Sequence, residues 1–236
     1  MDGVEWRSLP GGHLVHSLRL DAPSGRPLRV LCLGAHADDL EIGCGGTVLA
    51  LAARQPEVEV HWVVLSSNDV RGAEAEACAR KFLAGVRNSE IVIQRFRDGY
   101  FPHEGERIKD FFEELKRRVS PDLIFTHQRD DWHQDHRLVC ELSWNTWRNH
   151  LILEYEVPKY DPDTGAPNTF VHLDTQTAER KADLILEGFP TQSGRHWFTR
   201  DTFLSLMRLR GIQSCAAPYA EAFYCRKMVL APKLRP

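Results

Sequence analysis

The sequence predicts an α/β fold, a single domain built on a mostly parallel sheet with helices on both faces. Two observations carry this expectation. Short apolar runs take turns with longer amphipathic ones, which is the pattern of parallel strands joined through crossover helices. The chain has 236 residues with 42% hydrophobic content, enough to bury one sizeable core and too little for a second large domain.

The elements follow in order. RVLCLGAH (29–36) reads as the first strand and GGTVLALAARQ (45–55) as the helix behind it. VEVHWVVLSS (58–67) is the second strand, followed by the helix RGAEAEACARKFLAG (71–85) with a glycine near its end. EIVIQRF (90–96) is the third strand. Ile108, Phe111, Phe112, Leu115 and Val119 then recur at helical spacing until Pro121 stops the helix. DLIFTH (122–127) is the fourth strand, with a helix through DHRLVCELSWNTWRNH (135–150). LILEYEV (151–157) is the fifth, its branched and long apolar residues flanked by turn formers. The texture changes at VPKYDPDTGAPNTF (157–170), where prolines and glycines interrupt tyrosine, aspartate and asparagine, the composition of a long surface loop. Two helices, TAERKADLILEGF (177–189) and RDTFLSLMRLRG (200–211), and a last strand in FYCRKMVLA (223–231) complete the chain, which shows no internal repeat. Residues 28–157 thus form a Rossmann-like, doubly wound core within one domain spanning 1–236, and 158–236 supply specificity loops and C-terminal helices.

Composition excludes several classes. A formal net charge of -3 gives no basic surface for tracking phosphates, so nucleic acid is not an expected partner. No eighteen apolar residues run together and the first twenty lack the apolar core of a secretion signal, so the expectation is a cytoplasmic protein without a membrane span. The six cysteines are scattered without a CxxC pair, as reduced core thiols would be. A homo-oligomer is compatible with all of this.

The polar residues at the strand ends carry the chemistry. AHADDLEIGCGGT (35–47) lacks GxGxxG in register, and its carboxylates would repel a pyrophosphate. Asp38 and Glu41 have the spacing of a capping box, but capping leaves His36 and the adjacent Asp39 unexplained. Two neighbouring aspartates are costly unless a cation offsets them. The fourth strand runs into HQRDDWHQDH (127–136), and in a sheet of order 3-2-1-4-5 the ends of strands one and four flank the crevice where ligands bind. His36, Asp39 and His136 then make a His–carboxylate–His set with an open position, the ligand type of catalytic zinc; ferrous iron suits the same trio.

AHADDLEIGCGGT and HQDH resemble the paired signatures of the LmbE/PIG-L family of metal-dependent N-deacetylases, written AHPDD(x)E and HPDH. The likeness extends weakly through SNDVRGAEAEA to YAEAF near the C-terminus. Ala37 and Gln134 stand where the family often has proline, and neither position supplies a ligand. The resemblance implies zinc ligation by His36, Asp39 and His136, with Asp38 as general base toward the attacking water and a protonated His133 stabilising the oxyanion. Asp135 either orients and charges His133 or simply caps a helix. Arg71, after the second strand, is a candidate for binding a substrate hydroxyl or phosphate, or else an ordinary surface arginine. Glu41 is a helix-start residue or supports the ligands from behind, and Gly43, Gly45 and Gly46 permit close packing. The implied activity is hydrolysis of an acetyl or similar acyl group from the nitrogen of an amino sugar or its conjugate, a small-molecule partner. A metal-binding module without catalysis would need only the three ligands, whereas Asp38 and His133 favour an enzyme. A metal-dependent phosphoesterase would often want a second metal, for which carboxylates are too few.

Overall fold

The computed structural model describes residues 17–55, 57–215 and 217–229. The reading of the first sixteen residues, and of Leu230 and Ala231 as strand, lies outside them. Seven strands form one sheet of order β3-β2-β1-β4-β5-β7-β6. The strands are β1 (Arg29–His36), β2 (Glu59–Ser66), β3 (Asn88–Ile93), β4 (Leu123–His127), β5 (Leu151–Tyr155), β6 (Thr169–Leu173) and β7 (Tyr219–Cys225). The helices are α1 (Asp39–Arg54), α2 (Asp69–Phe82), α3 (Gly105–Arg118), α4 (Gln134–Thr146), α5 (Thr175–Gly188) and α6 (Arg200–Gln213). β1 to β5 pair in parallel in the expected order, while β7 runs antiparallel to both β5 and β6.

Alternation along the strands divides the core. Val30 and Cys32 on β1, with Val60, Trp62 and Val64 on β2, meet Val48 of α1, Phe82 of α2 and Ile185 of α5. Leu31, Leu33, Val63 and Leu65 face the other way, onto Phe112 of α3 and Val139 of α4. β1 is therefore apolar on both faces, as a central parallel strand must be. Four cysteines are buried and free, whereas Cys215 is exposed and Cys225 half-buried, so only the first four are core thiols. No helix among the described residues is long and apolar enough to cross a membrane.

Three elements differ from expectation. α1 starts at Asp39, six residues before the expected Gly45, because tertiary packing overrides the low helix propensity of its glycines. Gly43 lies against Tyr155, and a Cβ there would stand 2.6 Å from Cγ of that fully buried ring. Tyr155 in turn donates to Leu33 O at 2.8 Å. Gly43→Ala is expected to destabilise the fold by about 1–3 kcal/mol, the range for overpacking a core, with chemical denaturation as the measurement. The stretch expected to be loop up to Phe170 ends in the strand β6, and β7 lies at 219–225 rather than 223–231. Two alanines and a buried Glu221 disguise β7; that carboxylate accepts from Gly46 N–H and Thr47 N–H and pairs with Lys181.

Candidate metal centre

The carboxyl ends of β1 and β4, adjacent in the sheet, bring AHADD and HQRDDWHQDH together. His36 is the last residue of β1, Asp39 the first of α1, and His136 lies in the first turn of α4. His36 Nδ1 is 3.2 Å from His136 Nε2 and 3.4 Å from Asp39 Oδ2, and His136 Nε2 is 3.5 Å from the same oxygen. Donor atoms arranged tetrahedrally about zinc, at bonds of about 2.0–2.2 Å, stand about 3.3–3.6 Å apart. The three atoms form a triangle of that size.

The outward nitrogens of both rings are held by carboxylates. His36 Nε2 meets Asp135 Oδ2 at 3.1 Å and Asp98 Oδ1 at 3.2 Å, and His136 Nδ1 meets the buried Asp131 Oδ2 at 2.9 Å. Once His36 gives up its extra proton, ring protons drawn to these carboxylates would leave two lone pairs facing one another beside a third anionic donor. Such an arrangement suits a cation, and carboxylate–histidine pairs behind the ligands are how metal sites fix ring orientation. The residues present therefore fit a divalent metal.

Electrostatics point the same way. Burial opposes charge on His36, but hydrogen bonds to Asp135, Asp39 and Asp98 outweigh it and raise its pKa well above the ordinary value. Burial also opposes ionisation of Asp39, yet His136 and His127 hold it well below the usual carboxylate range. His136, pushed down to about 4 chiefly by burial and by His127, is neutral at physiological pH. Without metal, a proton on His36 is thus the cation at the site. Metal binding at pH 7 is expected to release about one proton, with affinity falling as pH drops. Calorimetric titration in two buffers of different ionisation enthalpy measures that release, and a buffer-independent heat would contradict it.

Asp38 sits beside the triangle and outside it. Its backbone is left-handed at φ 97°, its side chain makes no cap to α1, and Glu41 Oε1 and Oε2 have no hydrogen-bond partner among the described residues. The capping box therefore does not form. Asp38 Oδ2 accepts from Arg71 Nη2 at 2.9 Å; burial pushes the acid up to about 7, with Arg71 pulling against it. Glu41, fully buried, is pushed up to about 8 by burial. Arg71 directs its guanidinium to Ala37 O, Asp38, Glu74 and Thr191, with its charge over the Phe189 ring. It holds the acid rather than presenting a free fork to a ligand.

His133 packs against the rings of both His36 and His136, at centroid distances of 4.8 and 4.6 Å. Its Nδ1 accepts the Asp135 N–H at 3.3 Å, which leaves the neutral ring's proton on Nε2, and burial together with His36 lowers its pKa. The Asp135 carboxylate reaches His36 and accepts from Gly99 N–H and Phe101 N–H, so it does not orient His133 through its side chain. His127, Asp131 and Asp98 belong to the site and were not singled out from the sequence. His127 Nε2 accepts from Ala35 N–H at 3.0 Å and lies 3.2 Å from Asp39 Oδ2, its ring stacked 3.8 Å from that of His136. The signal for His127 was its place at the end of a buried strand, and for Asp131 its place in the short turn that follows, where unpaired polar side chains are costly.

A doubly wound α/β domain with a His–carboxylate–His set at the ends of adjacent strands is an arrangement that could hold a metal at the switch point of the sheet. Residues 31–147 match the family model PIG-L, described as GlcNAc-PI de-N-acetylase, and the chain belongs to that family. Among solved structures it is similar to an N,N'-diacetylchitobiose deacetylase from Pyrococcus horikoshii in complex with an inhibitor, with 25% identity and a TM-score of 0.63 over 83% of this chain and 82% of that one. GalB, a 4-carboxy-2-hydroxymuconate hydratase from Pseudomonas putida KT2440, shares the fold at 17% identity, TM-score 0.70, over 88% of this chain and all (100%) of that one. So does the zinc-inhibited form of the teicoplanin deacetylase Orf2, at 13% identity, TM-score 0.67, over 83% and 97% of the two chains. Family and first neighbour together support an N-deacetylase acting on amino-sugar conjugates.

Proposed function

We propose that this protein is a divalent-metal-dependent hydrolase that removes an acetyl group from the nitrogen of an amino sugar or its conjugate. The observation that carries the reading is the donor triangle of His36, Asp39 and His136 with a second acid, Asp38, beside it. A binding module has use for the triangle alone. A bound divalent cation there, zinc or ferrous iron, supplies Lewis acidity that polarises an amide carbonyl and acidifies water.

The chain's own groups do the rest. Asp38 takes a proton from the attacking water; with a pKa near 7 it can hold that proton and return it to the leaving amine nitrogen. Arg71 fixes the carboxylate in place. His133 donates from Nε2 toward the oxygen that gains charge, as a neutral imidazole, because burial lowers its pKa. Asp135 and Asp131 keep the two ligand rings turned inward.

The test is release of free amine and acetate in equal amounts from a panel of N-acetylated amino sugars, N,N'-diacetylchitobiose and N-acetylglucosaminyl-phosphatidylinositol included, by metal-loaded protein. Release from any acceptor with a dependence on Asp38 is the expected result. A silent panel with phosphate released from a phosphoester would overturn it.

A further inference from the structure

The loop between β5 and β6 is fastened to the metal site by one side chain. Lys159 Nζ lies 3.0 Å from Asp131 Oδ1 and 2.6 Å from Asp163 Oδ2, with the side chains of Lys159, Asp131 and Asp163 only 12%, 0% and 2% exposed. Asp131 is the carboxylate that holds His136 Nδ1 at 2.9 Å, and its Oδ1 also accepts from His133 N–H at 2.8 Å. Asp163 Oδ2 accepts from Trp132 N–H at 2.8 Å, and Asp163 O accepts from Gln128 Nε2 at 3.2 Å.

Two buried carboxylates, one on each side of the loop contact, therefore share one ammonium. Neither would tolerate the other at this depth without it. The same ammonium fixes the rotamer of Asp131, and through it the ring of His136. Next to Lys159 the loop presents Tyr160, exposed and with its ring centroid 5.4 Å from that of His196, and the far side of the contact presents the exposed Trp132. Both exposed aromatics adjoin residues of this one node.

We propose that Lys159 is a positioning residue that clamps the 156–168 loop onto Asp131 and thereby holds His136 in its metal-binding orientation. The proposal rests on the metal-centre reading and goes beyond it, by joining the loop to a ligand histidine. Loop closure and metal affinity are then coupled. A substrate that orders the loop tightens the site, and opening the loop loosens His136.

The experiment measures zinc affinity by chelator competition, and amide hydrogen exchange across the chain, for wild type, Lys159→Met and Lys159→Arg. Lys159→Met is expected to weaken zinc binding about 10- to 100-fold, the range for changes behind a metal ligand, and to speed exchange in 156–168 while β1 and β4 stay protected. Lys159→Arg, which keeps a cation between the carboxylates, is expected to restore most of both. Zinc affinity of Lys159→Met within twofold of wild type would overturn the proposal. If that variant does not fold, Asp163→Asn gives the second test: faster loop exchange with weaker zinc binding supports the clamp, and zinc affinity unchanged while the loop loosens overturns it. Zinc binding without amine release from any acceptor would defeat the deacetylase reading and leave the clamp standing. Amine release with a zinc affinity indifferent to Lys159 would defeat the clamp alone.

Discussion

Replacing Asp38 with asparagine is expected to lower kcat about 10²- to 10⁴-fold while the protein still binds its metal. The side chain is isosteric, and Asp38 pairs with Arg71 rather than entering the His36–Asp39–His136 triangle, so the donor set survives. What is lost is an acid beside the triangle whose pKa, about 7, lets it both take and return a proton at neutral pH. The sign of the pH dependence follows. Asp38 must be ionised to act as base, so kcat/KM in the wild type is expected to fall as pH drops below about 7, and a bound cation moves that limb lower. Metal content by elemental analysis, with rates measured from pH 5 to 9, checks both halves. An Asp38→Asn protein with wild-type turnover would remove this residue from the mechanism.

Replacing His136 with alanine is expected to abolish stoichiometric metal binding and, with it, activity. Its Nε2 is one corner of the triangle, and its Nδ1 is the atom that Asp131 holds. Loss of a ligand costs more than the about 10- to 100-fold that follows from disturbing the groups behind one. The variant also empties volume between the stacked rings of His127 and His133, 3.8 and 4.6 Å away, and leaves the buried Asp131 without its imidazole. Thermal melting of metal-free protein separates the two consequences. A variant that melts like wild type and still carries one equivalent of metal would show that a different trio binds it. Asp39, His127 and His136 also converge, as do His36, His133 and His136, so His127→Ala and His133→Ala are the controls.

Sequence alone reached the order of the five parallel strands and the two polar segments that meet at their ends, because both are written in local pattern: apolar runs at strand length, then charge where a buried strand stops. It missed β6 and set β7 four residues late. Antiparallel strands at this end of the sheet depend on pairing partners far along the chain, and YAEAFYC has alanine and glutamate where β propensity expects branched residues. The start of α1 was hidden by Gly43, Gly45 and Gly46, whose missing side chains are explained only by what lies above them. At the site, the convergence of His36, Asp39 and His136 was legible from their places after strands one and four. The partners of their outward nitrogens were not. Asp98 arrives from the loop after β3 and Lys159 from a loop after β5, and nothing in sequence distance brings either near His36 or Asp131.

The fold by itself does not choose the chemistry. A hydratase and deacetylases share it with this chain, so the chemistry has to be read from the side chains at the strand ends. On the proposed reading, one catalytic cation held by the triangle organises those side chains here. The direct measurement strips the protein of metal, titrates zinc back, and follows acetate released from an N-acetylated amino sugar that the wild type accepts. Activity near zero at the start, rising in proportion to zinc up to about one equivalent, is the predicted result. Full activity in the stripped protein, or zinc bound at one equivalent with no rise in rate, would contradict it.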